Sequence, residues 1–440
     1  MARAMTILTR RVIFAQAWPI ILGQALVPLV GVVDTTVIGR TGNAATLAGV
    51  ALGVTTVNLI FWTFGFLRMG VTGLTAQTLG AGGGEELRAL LLRALLLGLG
   101  LGIALLALSP AIVPLALSLM QVPASAAEAA HAFTTARFAG APAALGFYVI
   151  NGWLLGLGRT RLALACQVAF NGVNIALDVL LVAGFGLGAW GAGIGTSIAE
   201  WVALASGLWA ARQVLGPGWW RIGRRATFAP GAFRRLLSVN ADIMIRTVAL
   251  LLLFTWFARA GARLGAVPLA ANHVLMQFVS VSAFVLDGFA FTAEARVGAA
   301  IGAGSRAALL RAARLTGEFS LAGGLAFAAV IAAAGPWLIA LVTHDPAVQR
   351  QALAMLPYCA LVPLLGMPSW LLDGIFIGAT RGRILRNAAL VSLALYLATD
   401  TMLRGWGDIG VWIALLASYL YRAAALGVAL PRLVRSVDAA

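Results

Sequence analysis

Asp373-Gly374-Ile375-Phe376-Ile377-Gly378-Ala379-Thr380-Arg381-Gly382-Arg383 has a counterpart earlier in the chain: Asn151-Gly152-Trp153-Leu154-Leu155-Gly156-Leu157-Gly158-Arg159-Thr160-Arg161. The two runs lie 222 residues apart (373 − 151 = 222), and Asp178 and Asp400 stand at the same offset. Gly80 to Arg93 matches Gly298 to Arg311 at an offset of 218 (298 − 80 = 218), so a gap of a few residues separates the two registers. Alanine and leucine identities are cheap in this composition, whereas aligned glycines and arginines are not. The chain therefore reads as a duplication, and the nature of the duplicated unit decides the fold.

That unit is a set of apolar helices. Of 440 residues, 61% are hydrophobic and only 10% charged, where a soluble domain carries about 25% charged residues. So much apolar surface needs lipid, and a spanning helix needs roughly 20 apolar residues. Spans are expected at about 12–39, 46–69, 89–109, 130–157, 162–186, 190–212, 234–258, 267–292, 307–334, 351–379, 385–404 and 409–431, the third and ninth having room to extend. The longest polar connection, 213–233 with Gly216-Pro217-Gly218, divides them six and six. The expected fold is an all-α integral membrane protein with twelve transmembrane helices in two pseudo-symmetric six-helix lobes, 1–212 and 234–440, joined by a cytosolic linker at 213–233. An even number of spans per half makes the repeat parallel, a recurrent transporter design whose central cleft opens to alternate sides. A duplicated channel is the competing use of such a bundle.

Charge sets the orientation. The formal net charge is +16, there is no lysine, and all 31 cations are arginine. With the N-terminus in the cytosol, the outer side holds Arg40, Arg137, Arg259, Arg263, Arg350 and Arg404, the spans hold Arg246 and Arg422, and all other arginines fall inside. Arg3, Arg224 and Arg225 belong to that inner set. The positive-inside rule then places both termini in the cytosol. Arg246 and Arg422 need partners or water. Arginines confined to short loops suit anionic headgroups better than nucleic acid. Cys166 and Cys359 lie in apolar runs with no zinc or disulfide pattern. Arg3, Arg10 and Arg11 precede a long apolar stretch without an A-x-A-like site, so the first helix is expected to remain uncleaved.

Several glycine-rich motifs are excluded by their neighbours in the chain. Gly80 to Gly84 leads into Glu85-Glu86, not a G-K-[ST] phosphate loop. Gly98-Leu99-Gly100-Leu101-Gly102 and Gly191 to Gly195 imitate dinucleotide fingerprints, but no strand precedes them, so helix packing explains them. His131, His273 and His344 form no metal or triad spacing. An enzyme, a metal site and a cofactor are therefore not expected. The energy must come from an ion gradient or the substrate's own.

Ionisable groups inside a membrane are costly and are functional candidates. The acidic set is Asp34, Asp178, Glu200, Asp242, Asp287, Glu294, Asp373 and Asp400. Asp34 falls near the outer end of the first span, Asp178 about 24 Å along the fifth, and Thr196 near the outer end of the sixth. Asn171, Asn174 and Asp178 follow i, i+3, i+7 spacing and share a helix face. Asp34, Asn174, Asp178 and Thr196 can thus meet in the outer half of the N-terminal lobe. Two carboxylates sharing a low-dielectric site cannot both ionise cheaply, so such a pair can hold a proton near neutral pH. The same oxygens could hold sodium, or the network could simply fix helix packing. Asn151, Asp242, Asp287, Asp373 and Asp400 are candidates for a substrate site or a C-lobe polar site. Asp242 and Arg246 at i, i+4 could neutralise each other, and Asp373 and Arg381 lie two turns apart. Pro19, inside the first span, removes a backbone hydrogen bond and permits a hinge. Trp62, Phe64, Phe66, Phe254, Trp256 and Phe257 could line a cavity for amphipathic cations or face lipid.

The run from Asp373 to Arg381 followed by Arg386-Asn387, the run Trp153 to Leu157, Asn171-x-x-Asn174-Ile175-x-x-Asp178, and Trp190-Gly191-Ala192-Gly193 with Thr196 together resemble the multidrug and toxic compound extrusion (MATE) family, most closely its DinF (DNA-damage-inducible protein F) branch. The resemblance extends over nearly the whole chain. It implies cation-coupled export of drugs and other amphipathic, often cationic, compounds across a cytoplasmic membrane. The Ala-, Gly-, Leu- and Arg-rich composition fits a bacterial source, so a bacterial cytoplasmic (inner) membrane is expected, and a monomer is expected. The coupling ion that the resemblance implies is the proton, with sodium as the alternative. By the same resemblance Asp34 matches the helix 1 aspartate, Asn174, Asp178 and Thr196 match its N-lobe network, and Pro19 matches the proline at which helix 1 is proposed to bend. The wider superfamily also contains lipid-precursor flippases, many with fourteen spans and basic cavities. Twelve spans and acidic intramembrane residues favour cation export.

Overall fold

The computed structural model describes residues 8–41, 43–223 and 227–438. Arg3, Arg224 and Arg225, counted above among the inner arginines, lie outside the described residues. The described chain is helical, without a strand. In order the helices are α1 (Arg10–Thr41), α2 (Ala44–Thr63), α3 (Phe66–Gly80), α4 (Gly84–Leu119), α5 (Ala124–Phe138), α6 (Ala141–Gly156), α7 (Thr160–Asp178), α8 (Gly188–Leu215), α9 (Pro230–Arg263), α10 (Ala266–Gly302), α11 (Arg306–Val342), α12 (Pro346–Gly378), α13 (Gly382–Met402) and α14 (Gly407–Asp438). Helices dominate because lipid offers no partner for an open backbone. Among the described residues nine segments are long and apolar enough to cross a membrane, or ten if α5 and α6, bent by 53° at their junction, form one span. α2 and α3 count as one segment, broken only by the tight turn at Phe64-Gly65. The expectation of twelve adds α8 and α13. α8 is rich in glycine and alanine and carries Glu200, while α13 is 21 residues long with Arg383, Arg386 and Asp400. Polar residues lower the hydropathy of both: Glu200 and Asp400 are buried, whereas Arg383 is exposed. The third and ninth expected spans do extend, as α4 and α11.

The chain divides into two compact units. One comprises Met1–Gln24, Ala76–Gly82 and Ser238–Ala440, and the other Ala25–Thr75 and Gly83–Leu237. We call them the arginine-rich unit, after the cluster of Arg246 and Arg422 on Asp373, and the carboxylate unit, after the cluster of Asp34, Asp178 and Glu200. In the carboxylate unit, Ile38, Val50, Val57, Phe61, Leu105, Phe133 and Phe138 form the principal core. In the arginine-rich unit, Leu253, Phe257, Leu275, Ile331, Met355, Tyr396 and Trp412 do so. Large apolar side chains face outward as well, including Phe14, Ile103, Trp209, Trp337 and Val428. In water such a surface would invite association; around a membrane bundle it meets acyl chains.

The repeated run has a packing explanation. A Cβ on Gly152 would lie 2.3 Å from the Arg68 carbonyl oxygen, and one on Gly156 2.6 Å from that of Thr72. In the other unit, a Cβ on Gly374 would lie 2.4 Å from the Ala290 oxygen, and one on Gly378 2.3 Å from that of Glu294. Both contacts are Gly-x-x-x-Gly faces on which two helix backbones touch. The partners repeat as well: Arg68 and Ala290, and Thr72 and Glu294, stand at the same 222-residue offset (290 − 68 = 222; 294 − 72 = 222). α1 runs unbroken past Pro19, which is buried.

Candidate functional site

Polar side chains from four helices converge inside the carboxylate unit. α1 brings Asp34, α5 brings Arg137, α7 brings Asn171, Asn174 and Asp178, and α8 brings Thr196 and Glu200. Asn174, Asp178 and Thr196 are fully buried and Asp34 is 2% exposed. The Asn174 Nδ2 donates to Thr196 Oγ1 at 2.9 Å, and Thr196 Oγ1 donates back to the Ala192 carbonyl at 3.0 Å. Asp34 lies within interaction range of Asp178 and of Asn174. The four expected coupling residues therefore do meet.

Local backbone features set this geometry. α7 stops at Asp178 and continues as a π-turn over Val179–Gly184. There the Phe185 N–H bonds the Leu180 carbonyl five residues back, at 2.9 Å. π-turns inside helices are uncommon and recur at functional sites. α5 and α8 pack tightly because Gly193 has no side chain; a Cβ there would sit 2.5 Å from the Phe133 carbonyl oxygen. That approach brings Arg137 Nη1 within 2.8 Å of Glu200 Oε1. Ser197 Oγ fastens the same contact by donating to the Ala136 carbonyl at 2.7 Å. At the α5–α6 bend, a Cβ on Gly140 would lie 1.9 Å from Glu200 Oε2 and 2.9 Å from Ser197 Cα, so a side chain there would displace the Glu200 carboxylate from its present position.

Glu200 stands among the intramembrane acids read from the sequence, but neither it nor Arg137 is placed there in the coupling site. Arg137 was counted with the outer arginines, whereas the structure buries it, 8% exposed, with its guanidinium over the Phe61 ring. Two signs pointed to them. Glu200 is four residues after Thr196 on one helix face, and Arg137 falls inside the fourth expected span.

The site is incompletely satisfied. Asp34 Oδ1, both Asp178 oxygens, Glu200 Oε2, Asn174 Oδ1 and both polar atoms of Asn171 are buried without a hydrogen-bond partner. Buried polar atoms are nearly always paired, and an unpaired buried charge costs several kcal/mol or more. One guanidinium faces three carboxyl groups. Carboxyl oxygens in that position call for a proton or a small cation, and the asparagine oxygens add neutral acceptors.

Asp373, Asp400 and Asp242 of the arginine-rich unit are held differently. Asp373 is paired with Arg246 and lies 3.6 Å from Arg422 Nε, and Arg422 also donates to Ser369 Oγ at 2.9 Å. These pairs answer the need of the two intramembrane arginines. Asp400 accepts from Arg263 at 2.8 Å and from Trp256 Nε1 at 2.9 Å. Asp242 accepts from Arg386 at 2.7 Å. The expected Asp242–Arg246 neutralisation does not form, because Arg386 at the start of α13 takes Asp242 and Asp373 takes Arg246. Arg381 bonds Ser436 Oγ at 3.2 Å rather than Asp373. Asp287, half-buried on α10, acts on Arg422 through its charge. Asn151 is half-buried on α6 and makes no hydrogen bond to the Asp34–Asp178 cluster among the described residues. Of the six aromatic residues, Phe66 and Phe257 are buried, Trp62 is exposed, and Trp256 alone touches an acid. No group of three or more His, Cys, Asp or Glu suited to a metal occurs among the described residues.

The profile of the MatE family matches residues 19–180 and 243–402. The two matched segments end 222 residues apart (402 − 180 = 222), the offset of the internal repeat. The chain is 39% identical over 399 residues to the DNA damage-inducible protein F of Escherichia coli (strain K12), covering 91% of this chain and 87% of that one. It is 27% identical over 375 residues to a probable multidrug resistance protein NorM of Acinetobacter baylyi, covering 81% of this chain and 80% of the relative. A crystal structure described as MATE in the bent conformation superposes with a TM-score of 0.88 at 20% identity, covering 98% of this chain and 97% of that chain. At that identity the superposition speaks for the fold.

Proposed function

The chain belongs to the MatE family of membrane transporters, and from that premise we propose that it is a cation-coupled, most simply proton-coupled, antiporter. It exports amphipathic, often cationic, drugs or toxic compounds by alternating access. The observation that carries the reading is the set of buried, unpartnered oxygens on Asp34 and Asp178. A proton arriving from outside neutralises the pair, the hydrogen bonds of Asn174 and Thr196 rearrange, affinity for the cargo falls, and the cargo leaves outward. By linkage, the ion drives transport only as far as it binds differently with and without cargo. The relative named as a probable multidrug resistance protein supports the cargo class.

The rest of the reading rests on the sequence. Two lobes, 1–212 and 234–440, are joined by the 213–233 linker in a twelve-span monomer. Both termini lie in the cytosol of a bacterium, and the protein sits in the inner membrane. It carries out no chemical conversion and needs no cofactor. Pro19 serves as the hinge of α1.

The test is uptake of an ethidium-like cationic dye by proteoliposomes under an imposed pH gradient, with and without sodium. Uptake driven by the gradient and indifferent to sodium is expected. Uptake that tracks sodium transfers the same oxygen cluster to that ion. No uptake under any gradient contradicts the cargo class and points to a lipid-linked precursor, the cargo of flippases.

A further inference from the structure

A second polar constellation lies within the arginine-rich unit, at the beginning of α1 and the first turns of α11. Leu8, Thr9, Arg10 and Arg11 face Leu310, Arg311, Arg314, Leu315 and Glu318 across a cavity of about 710 Å³. Four guanidinium groups surround it with one carboxylate, an excess of three positive charges (4 − 1 = 3). Glu318 is already engaged twice, by Arg10 Nε at 2.8 Å and Arg314 Nε at 3.1 Å. Arg11 and Arg311 form no ion pair among the described residues. The fold holds four like charges around an open cavity, and packing gains nothing from that arrangement.

The surroundings say what would occupy it. Leu8, Leu310 and Leu315 contribute apolar walls. One turn further along, Phe14 of α1 meets Phe319 of α11, ring centroids 6.1 Å apart, and Phe14 is 52% exposed. Leu321 and Leu325 of α11 are exposed beyond it. A basic mouth therefore leads onto an apolar track along two helices that are apolar enough to span the membrane. Arginine forks bind phosphate oxygens in bidentate fashion, and basic pockets between spanning helices hold lipid headgroups. A cavity of this size falls in the range, about 300–1,000 Å³, that takes a compact polar ligand.

We propose that this cavity binds the phosphate headgroup of an anionic phospholipid, with an acyl chain laid along Phe14, Leu321 and Leu325. The phosphate bridges Arg11 to Arg311 and ties the start of α1 to α11. α1 also carries Asp34, so the lipid steadies the helix that brings the carboxylate to its site. This binding is independent of the cargo and of the coupling ion.

The test uses the full-length protein in detergent, with native mass spectrometry of retained lipid. Phosphatidylglycerol is compared with phosphatidylcholine, and inorganic phosphate is tried alone in a thermal-shift assay. The variant is Arg11→Gln with Arg311→Gln, which leaves both Glu318 pairs intact. Arg159→Gln with Arg161→Gln removes equal charge elsewhere. Wild type and the control pair are expected to hold phosphatidylglycerol well above phosphatidylcholine. The Arg11/Arg311 variant is expected to bind phosphatidylglycerol about 30-fold more weakly, roughly fivefold per arginine. Equal retention of the two lipids by wild type, a result free of any mutation, overturns the proposal. So does equal loss in both double variants, or stabilisation by inorganic phosphate alone as large as by the lipid.

Discussion

Thr196 and Glu200 of α8 correspond, at the 222-residue offset, to Ser418 and Arg422 of α14, and Asp178 corresponds to Asp400. One unit thus carries a carboxylate where the other carries a guanidinium. In the carboxylate unit Asp178 is buried with both oxygens unpartnered, whereas Asp400 accepts from Arg263 and Trp256. Glycine packing shows no such divergence: Gly152 and Gly156 on one side, and Gly374 and Gly378 on the other, meet equivalent carbonyls at nearly equal distances. Duplication kept the features that hold helices together, because backbone contact tolerates no side chain. It did not keep the polar interior: Asp242, Asp373 and Asp400 are each paired with arginine, whereas Asp34, Asp178 and Glu200 face the single guanidinium of Arg137.

The largest effect that separates the units is on coupled transport. Asp34→Asn removes one of the two unneutralised carboxyl groups and is expected to reduce gradient-driven dye uptake to background at normal expression. Asp400→Asn removes an acid whose charge is already balanced and is expected to leave gradient-driven uptake measurable. Equal loss in both would erase the distinction. Full activity of Asp34→Asn would remove that carboxyl from the coupling path.

Next in size is a stability effect in the carboxylate unit. Arg137→Met strands Glu200 as a buried unpaired acid and should cost about 3–5 kcal/mol. Adding Glu200→Gln should recover part of the loss, read as the midpoint of thermal unfolding in detergent. Arg263→Met is the matching change in the other unit. Arg263 is 36% exposed, so water can replace part of what it gives Asp400, and a smaller loss is expected.

Smallest is the comparison that should show no difference. Gly152→Ala and Gly374→Ala each push a methyl into a backbone carbonyl and should each cost about 1–3 kcal/mol. A large inequality between them would mean that the two glycine faces do not carry equal weight.

Legibility tracked chemistry. The duplication and its Gly-x-x-x-Gly faces could be read because close backbone approach permits one residue type only. The Asn171, Asn174, Asp178 face could be read because helical periodicity is fixed. The Arg137–Glu200 pair was hidden, since it joins residues 63 apart (200 − 137 = 63) through a bend at Gly140 that no periodicity announces. Asp242 and Arg246 show the converse. Local spacing suggested a pair, but each found a partner more than 100 residues away, Arg386 and Asp373, in better geometry. The π-turn after Asp178 leaves no mark in a run of apolar residues.

The most direct test of the asymmetry is proton release when a cationic substrate binds the purified protein. If cargo displaces a proton from the Asp34–Asp178 pair, weakly buffered wild-type protein should release protons on binding. Its apparent affinity should also rise with pH, about tenfold per unit for one-for-one exchange. The account predicts that Asp400→Asn keeps this release and that Asp34→Asn loses it. Release that survives in Asp34→Asn and disappears in Asp400→Asn would contradict it.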